Sequence, residues 1–322
     1  MTGKICGTGA CVPEQIVTND DLAKIVDTSD EWIMERTGIA RRHIAKDETV
    51  ISMAVEACRK ALEDSAVSAE DLDMIVVATL TSNQLMPSAS CCIQKALEAD
   101  SAFCFDMNAA CSGFLFALNT AQAYIQSGQI KNALVVGADC MSDLLDWEDR
   151  GSCILFGDGA GAVVLNAFNG QQSIFESVMH SDGGRGDALK CVNPKYALRQ
   201  QGRKDKDCLM TMDGQAVFKF AVKQVPAVIM ELLIKAEKSV AEVDYFILHQ
   251  ANKRIIQSVA KRLGVELERF PVNLEMYGNT SSASIPLLLD ELSRGGTLKP
   301  GDLIVISGFG AGLTWGASLM EW

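Results

Sequence analysis

Two stretches decide the fold: Glu70-Asp-Leu-Asp-Met-Ile-Val-Val77 and Ala241-Glu-Val-Asp-Tyr-Phe-Ile-Leu248. Each sets acidic residues before a short apolar run, and about 170 residues separate them, the kind of spaced self-similarity that marks an internal duplication. The following elements keep step. Gln126-Ser-Gly-Gln-Ile-Lys131 precedes the apolar run Ala133–Ala138, and Arg294-Gly-Gly-Thr-Leu-Lys299 precedes Asp302–Ser307 at nearly the same offset. Runs such as Met74–Thr79, Ala133–Ala138 and Gly161–Leu165 are almost wholly apolar, as strands covered on both faces are. Amphipathic stretches lie between them: Ser52–Ser65, Ser112–Ser127, Phe218–Ser239 and Arg254–Leu263. This alternation predicts an α/β fold with substantial parallel sheet, in two related halves, residues 1–170 and 171–322. The polar, Gly-rich segment from Ser181 through Lys206 reads as a surface excursion.

Composition narrows the function. The 322 residues carry a net charge of −12, so a general affinity for nucleic acid is not expected, and an acidic partner would have to meet a local basic patch. The eleven cysteines are scattered and without C-x-x-C spacing, which supports neither a disulfide framework nor a structural zinc site; a reducing cytoplasm is the simpler reading. No signal-like N-terminus and no apolar run of transmembrane length is found.

Four segments hold candidate chemistry. Asp106-Met-Asn-Ala-Ala-Cys111-Ser-Gly places a cysteine where a strand gives way to a helix. The positive end of a helix dipole there favours a nucleophilic thiolate near neutral pH, whereas most cysteines are small core fillers. Cys58, Cys91, Cys92, Cys104 and Cys153 lack that context and read as packing. Among only three histidines, His249 ends the apolar run Tyr245–Leu248, at the carboxyl end of a strand where α/β proteins place ligands. His43, after Arg41 and Arg42, reads as solvent-facing, and His180 as structural or as a hydrogen-bond donor. Gly278-Asn279-Thr-Ser-Ser-Ala-Ser284 is either a helix N-cap with a turn or an amide donor held in a tight turn. Ser307-Gly-Phe-Gly-Ala-Gly-Leu-Thr-Trp-Gly316 is either a plain turn between strands or a backbone shaped to aim N–H groups at an oxyanion.

Together these segments resemble the β-ketoacyl-[acyl-carrier-protein] synthase III family over essentially the whole chain, a likeness that extends to Trp32-Ile-Met-Glu-Arg36, Asp149-Arg150-Gly and Phe156-Gly-Asp-Gly-Ala-Gly. The resemblance implies a thiolase-like fold, duplicated halves in α-β-α-β-α layers. It implies an acyltransferase that starts fatty acid synthesis by condensing an acyl-CoA primer with malonyl-acyl carrier protein. Cys111 would accept the acyl group, and His249 and Asn279 would bind the malonyl thioester oxygen. The backbone N–H groups of Cys111, Gly310 and Ala311 would form an oxyanion hole. Trp32, Arg36 and Arg150 would contact CoA, with Trp32 and Arg150 enclosing the adenine. Lys219, Gln250, Lys253, Arg254, Lys261 and Arg262 would meet the carrier protein or its phosphopantetheine. Met86, in a stretch that reaches across a homodimer in this family, would floor the partner's acyl pocket. No metal and no permanent cofactor is implied. Acetyl-CoA is the default primer and a branched acyl-CoA its rival. Acyl transfer without extension, a condensing enzyme of secondary metabolism and a non-catalytic subunit are the other readings.

Overall fold

The computed structural model describes residues 1–168, 174–193 and 208–322. The first half runs β1 (Thr2–Cys11), β2 (Ile16–Thr18), α1 (Asn19–Leu22), α2 (Asp30–Thr37), β3 (Arg41–His43), α3 (Val50–Ser65), β4 (Met74–Ala78), α4 (Ala89–Leu97), β5 (Phe103–Met107), α5 (Gly113–Gln126), β6 (Asn132–Cys140) and β7 (Asp158–Phe168). The second runs β8 (Phe175–Ser181), β9 (Leu189–Lys190), β10 (Thr211–Met212), α6 (Gly214–Lys235), β11 (Tyr245–Leu248), α7 (Lys253–Leu263), α8 (Leu274–Tyr277), α9 (Ser284–Arg294), β12 (Leu303–Gly310) and β13 (Thr314–Glu321). The junction expected at 170 and half of the expected surface excursion, residues 194–206, lie outside the described residues.

The duplicated motif becomes duplicated topology. One sheet has the order β1-β7-β6-β4-β5 and the other β11-β12-β13-β8. The two acid-then-apolar strands hold matching places. β4 pairs in parallel with β6, which pairs antiparallel with β7; β11 pairs in parallel with β12, which pairs antiparallel with β13. The sheets are therefore mixed, with less parallel pairing than the strand-helix alternation implied.

Side chains alternate across a strand, so one strand can feed two layers. Met74, Val76 and Ala78 of β4 face a central layer made by α5 and α9, where Phe114, Leu118, Ile285 and Leu289 meet Ile247, Ile304 and Ile306 from the other sheet. Ile75 and Val77 turn the other way, onto α3 and α4. In the second sheet Phe246, Leu248 and Val305 face α6 and α7. The result is α3/α4, sheet, α5/α9, sheet, α6/α7: the α-β-α-β-α layering that the resemblance implied. Burying one such aliphatic side chain contributes about 1.5–3 kcal/mol, so the doubly covered strands are the stable frame on which the loops at their ends are built.

The Arg41–His43 stretch is not a solvated charge run. Arg42 is fully buried, its Nη1 donating to Val17 O and Asn19 Oδ1 and its Nη2 to Ile154 O; burial lowers its pKa to about 10. His43 is half-buried rather than solvent-facing, with Nδ1 2.6 Å from Pro13 O and its ring 5.6 Å from that of Tyr277. Pairing of β3 with β2 turns Arg42 inward, which a count of charges along the chain does not register.

Candidate active site

Cys111 stands where β5 ends. A single 3-10 turn, Ala110–Ser112, links the strand to α5, and Ala110 takes a positive φ of 47°, a strained conformation for a residue with a Cβ. The turn is pinned to the other half of the chain by Ser112 Oγ, 2.8 Å from both Ala109 O and Thr314 Oγ1. Gly310 closes it from the opposite side: a Cβ there would lie 2.7 Å from Cys111 N and 3.0 Å from Ser112 N, so only glycine leaves the Cys111 amide uncrowded.

The thiol is 6 % exposed, and burial pushes its pKa up to about 12, with the Asp139 carboxylate also raising it and Ser281 lowering it. The resting nucleophile is thus a thiol. The thiolate expected from the helix dipole is overridden, because desolvation of a buried anion outweighs a terminal dipole.

His249 follows β11 directly, and its N–H donates to Ser307 O at 2.8 Å across the β11–β12 ladder. The ring is buried, and burial holds its pKa down to about 3, so the imidazole is neutral. Its Nδ1 lies 2.6 Å from Ser284 Oγ, toward which the Gln250 N–H also points at 3.4 Å. A ring that accepts the Ser284 hydroxyl proton at Nδ1 carries its own proton on Nε2, the tautomer able to donate into the cavity. Phe309 stands edge-on, 5.4 Å away, and helps keep water from the ring.

Asn279 is anchored by its backbone, donating to Leu155 O at 2.8 Å and accepting from Gly157 N at 3.1 Å. Its Oδ1 accepts the Ser281 N–H at 2.9 Å, which leaves the Nδ2 amide as the donating end. Ser281 adopts φ 52° to make that turn. Neither the 3-10 turn Ser281–Ala283 nor α9 has a side-chain cap, so the helix-capping reading of this segment fails.

Cys111, His249 and Asn279, drawn from both sheets' ends, line one cavity of ≈ 510 Å³ whose outer walls include Trp32, Arg36 and Arg254. A smaller apolar space of ≈ 50 Å³ continues past Cys111, bounded by Leu80, Met141, Leu144, Phe156, Met210 and Ala311 among others. Ser284 and Phe309 lie inside the two segments singled out above but were given no role there, and Met141 had no signal in the sequence, since its contact with the site depends on elements remote in the chain.

The remaining expected positions divide. Trp32 is half-buried at the mouth, with the Arg36 guanidinium 4.3 Å and that of Arg150 5.0 Å from its ring. A flat base between two faces needs them about 7 Å apart, two contact distances of ~3.5 Å, so Arg150 must swing off Trp32 to enclose one. Arg150 Nη1 meanwhile donates to Asp27 O at 2.8 Å. Gln250 is corrected: it is 1 % exposed, with Nε2 donating to Leu248 O and Oε1 accepting from Asn273 N, and so has no surface to offer a carrier protein. Arg254, Lys261 and Arg262 are exposed on α7, the last two in its final turn, where they suit the negative end of the helix dipole. Lys253 is half-buried against Gly38. Lys219 is exposed on a separate groove beside Arg185 and Lys223. Met86 is 83 % exposed and Leu85 75 %, away from the chain's own cavity. His180 is 2.9 Å from Glu231 and packs on Trp315, outside the cavity. Among the described residues no cluster of His, Cys, Asp or Glu could hold a metal, and no helix is long and apolar enough to cross a membrane.

Comparison with known proteins finds relatives that span the chain. Residues 105–183 match the family model 3-Oxoacyl-[acyl-carrier-protein (ACP)] synthase III, and residues 233–322 match the model of its C-terminal part. The chain is 45 % identical to the beta-ketoacyl-[acyl-carrier-protein] synthase III of Clostridium acetobutylicum, over 99 % of this chain and 98 % of that one. The crystal structure of 3-oxoacyl-[acyl-carrier-protein] synthase III from Aquifex aeolicus superposes with a TM-score of 0.93 at 45 % identity, covering 99 % and 100 % of the two chains. A priming β-ketosynthase from a polyketide biosynthetic pathway superposes with a TM-score of 0.93 at 36 % identity, covering 99 % and 96 %.

Proposed function

We propose, from the premise that this chain belongs to the β-ketoacyl-[acyl-carrier-protein] synthase III family of condensing acyltransferases, that its cavity joins an acyl group from CoA to malonyl-acyl carrier protein in two half-reactions. The observation that carries the residue assignment is that Cys111, His249 and Asn279 line one cavity, with His249 Nδ1 engaged by Ser284 and Asn279 Oδ1 by Ser281, an arrangement that supports His249 Nε2–H and Asn279 Nδ2–H as the two donors.

In the first half-reaction Cys111 Sγ bonds to the thioester carbon, the C–S bond to CoA breaks, and the thiol proton ends on the departing CoA sulfur. The exchange is proton-neutral, which suits a nucleophile that rests as a thiol. The Cys111 N–H and the Gly310-Ala311 turn take the oxyanion. In the second, the malonyl carboxylate leaves as carbon dioxide and the electron pair passes to the thioester oxygen. Two neutral donors lower the energy of that enolate, and a base is not required. A histidine kept neutral by burial cannot be protonated into a salt bridge with the carboxylate, so it is a donor suited to this step. The enolate carbon then bonds to the acyl-Cys111 carbonyl carbon, the C–S bond to Cys111 breaks to release a 3-oxoacyl carrier protein, and the departing Cys111 sulfur takes one proton from solvent to restore the thiol.

Trp32, Arg36 and Arg150 form the CoA-facing mouth, and Arg254, Lys253 and Lys219, with Lys261 and Arg262 farther along α7, present positive charge to an acidic carrier. The small space beyond Cys111 supports a short primer, acetyl-CoA. The likeness to a polyketide priming enzyme supports a second reading, the same chemistry on a longer primer, and relative kcat/KM for acetyl-, isobutyryl- and hexanoyl-CoA separates the two. The exposed Leu85 and Met86 support a homodimer, and the division 1–170 and 171–322 puts the nucleophile on one half and both donors on the other.

The test is intact mass after acetyl-CoA, followed by carbon dioxide release from malonyl carrier. Cys111→Ala takes up no acetyl group; Asn279→Ala takes it up but releases carbon dioxide about 10²–10³-fold more slowly, the usual cost of one oxyanion donor. Wild-type carbon dioxide release by Asn279→Ala would falsify the assignment.

A further inference from the structure

Asp139, on β6, is fully buried and outside both the trio and the lining of the main cavity. Its carboxylate takes five hydrogen bonds, divided by oxygen. Oδ1 accepts from Thr79 Oγ1 at 3.2 Å, Leu80 N at 2.9 Å and Thr81 Oγ1 at 2.9 Å, all on the segment that leaves β4. Oδ2 accepts from Ser282 N at 3.1 Å and Ser282 Oγ at 2.7 Å, which belong to the other half of the chain. Ser282 comes this close because position 137, also on β6, has no side chain: a Cβ there would lie 2.3 Å from Ser282 O.

A carboxylate is acceptor-only, and a backbone N–H points at each of its oxygens, Leu80 N at Oδ1 and Ser282 N at Oδ2, so an amide in its place would set an NH₂ group against a donor on one side or the other; the Ser282 hydroxyl also lies 2.9 Å from Ala78 O and shares its one proton between that carbonyl and Oδ2. The anion does nothing for the nucleophile, since its charge opposes ionisation of Cys111. Its service lies on the Oδ2 side. Ser282 directly follows Ser281, whose N–H at φ 52° fixes Asn279 Oδ1, and a strained turn persists only where its surroundings over-determine it.

We propose that Asp139 is a positioning residue for decarboxylation: through Ser282 it holds the Asn279–Ser281 turn so that the Asn279 amide points at the malonyl thioester oxygen. The proposal rests on the role given to Asn279 above. Asp139→Asn can keep the three bonds on Oδ1 while setting its NH₂ against the Ser282 N–H, which makes it a selective cut.

Three readings on the full-length protein test it: carbon dioxide release from malonyl carrier, acetyl transfer to Cys111, and the pH profile of Cys111 alkylation by iodoacetamide. In Asp139→Asn, carbon dioxide release falls about tenfold or more, acetyl transfer changes by less than about threefold, and the alkylation profile moves to lower pH as the opposing charge is removed. General damage would slow both half-reactions alike. A fall in decarboxylation no larger than the fall in acylation overturns the proposal. If Asp139→Asn does not fold, Ser282→Ala decides: decarboxylation drops about threefold with acylation kept, and a wild-type decarboxylation rate overturns the proposal. Asn279→Ala, run in parallel, separates the two levels. If it loses decarboxylation while Asp139→Asn does not, the positioning role fails and the role of Asn279 stands; if it keeps decarboxylation, the role of Asn279 itself fails.

Discussion

Replacing Gly310 by alanine tests whether the Cys111 amide is an oxyanion donor. The added methyl would sit 2.7 Å from Cys111 N, 3.0 Å from Ser112 N and 3.3 Å from Ala109 O. All three are backbone atoms of a turn tied down by the Ser112 hydroxyl, so no flexible side chain can yield. To reach a tolerable separation, the turn must shift by roughly half an ångström, and the methyl still crowds the Cys111 N–H where a thioester oxygen would bind. Loss of one such donor costs about 2.7–4 kcal/mol of transition-state stabilisation, a fall of about 10²–10³ in acylation rate. Overpacking adds about 1–3 kcal/mol of lost stability. The assay is quenched-flow mass spectrometry of acetyl transfer to Cys111, with a thermal melt to show that the variant is folded. Malonyl decarboxylation, assigned to His249 and Asn279 in the proposed function, falls much less, and that asymmetry is the signature. A folded Gly310→Ala that acylates within about threefold of wild type would refute the oxyanion assignment.

Three other outcomes are expected. With a folded-state pKa of about 3 against 6.5 unfolded, His249 contributes stability that is complete above pH 6.5 and is lost as pH falls toward 3, at up to about 1.4 kcal/mol per pH unit. Urea titrations from pH 7.5 to 4.5 read this as a steeper decline in wild type than in His249→Gln, and parallel curves would contradict it. Because the Cys111 thiol is held up to about 12, its alkylation by iodoacetamide in the free protein keeps rising through pH 9; a plateau near pH 7 would show a resting thiolate. Leu85→Asp with Met86→Asp puts charge on two exposed apolar side chains, and sedimentation velocity is expected to show a shift from dimer toward monomer, with no shift counting against the proposed interface.

The frame was legible along the chain because it rests on local pattern. Acid-then-apolar runs repeated about 170 residues apart became matching strands, and the period-two alternation that sends Met74, Val76 and Ala78 to one layer and Ile75 and Val77 to the other is written in consecutive residues. Cys111 stood out by its place between an apolar strand and a helix, and His249 by its place at a strand end.

Burial, orientation and charge state were settled only when distant segments met. Gln250 looked like a surface partner of its basic neighbours until its amide was found closed onto Leu248 and Asn273. His43 looked solvent-facing until β2 and β3 paired and left it half-buried against Pro13 and Tyr277. Cys111 was expected to ionise readily, yet enclosure by both halves leaves it a thiol, since desolvation depends on everything packed around an atom and not on its neighbours in sequence. Residue types suited to nucleophile and donors could be read from the sequence by itself. Which proton sits on His249 and which end of Asn279 faces the cavity depend on Ser284 and Ser281, for a hydrogen bond's direction is decided by partners that only the tertiary structure brings within 3 Å.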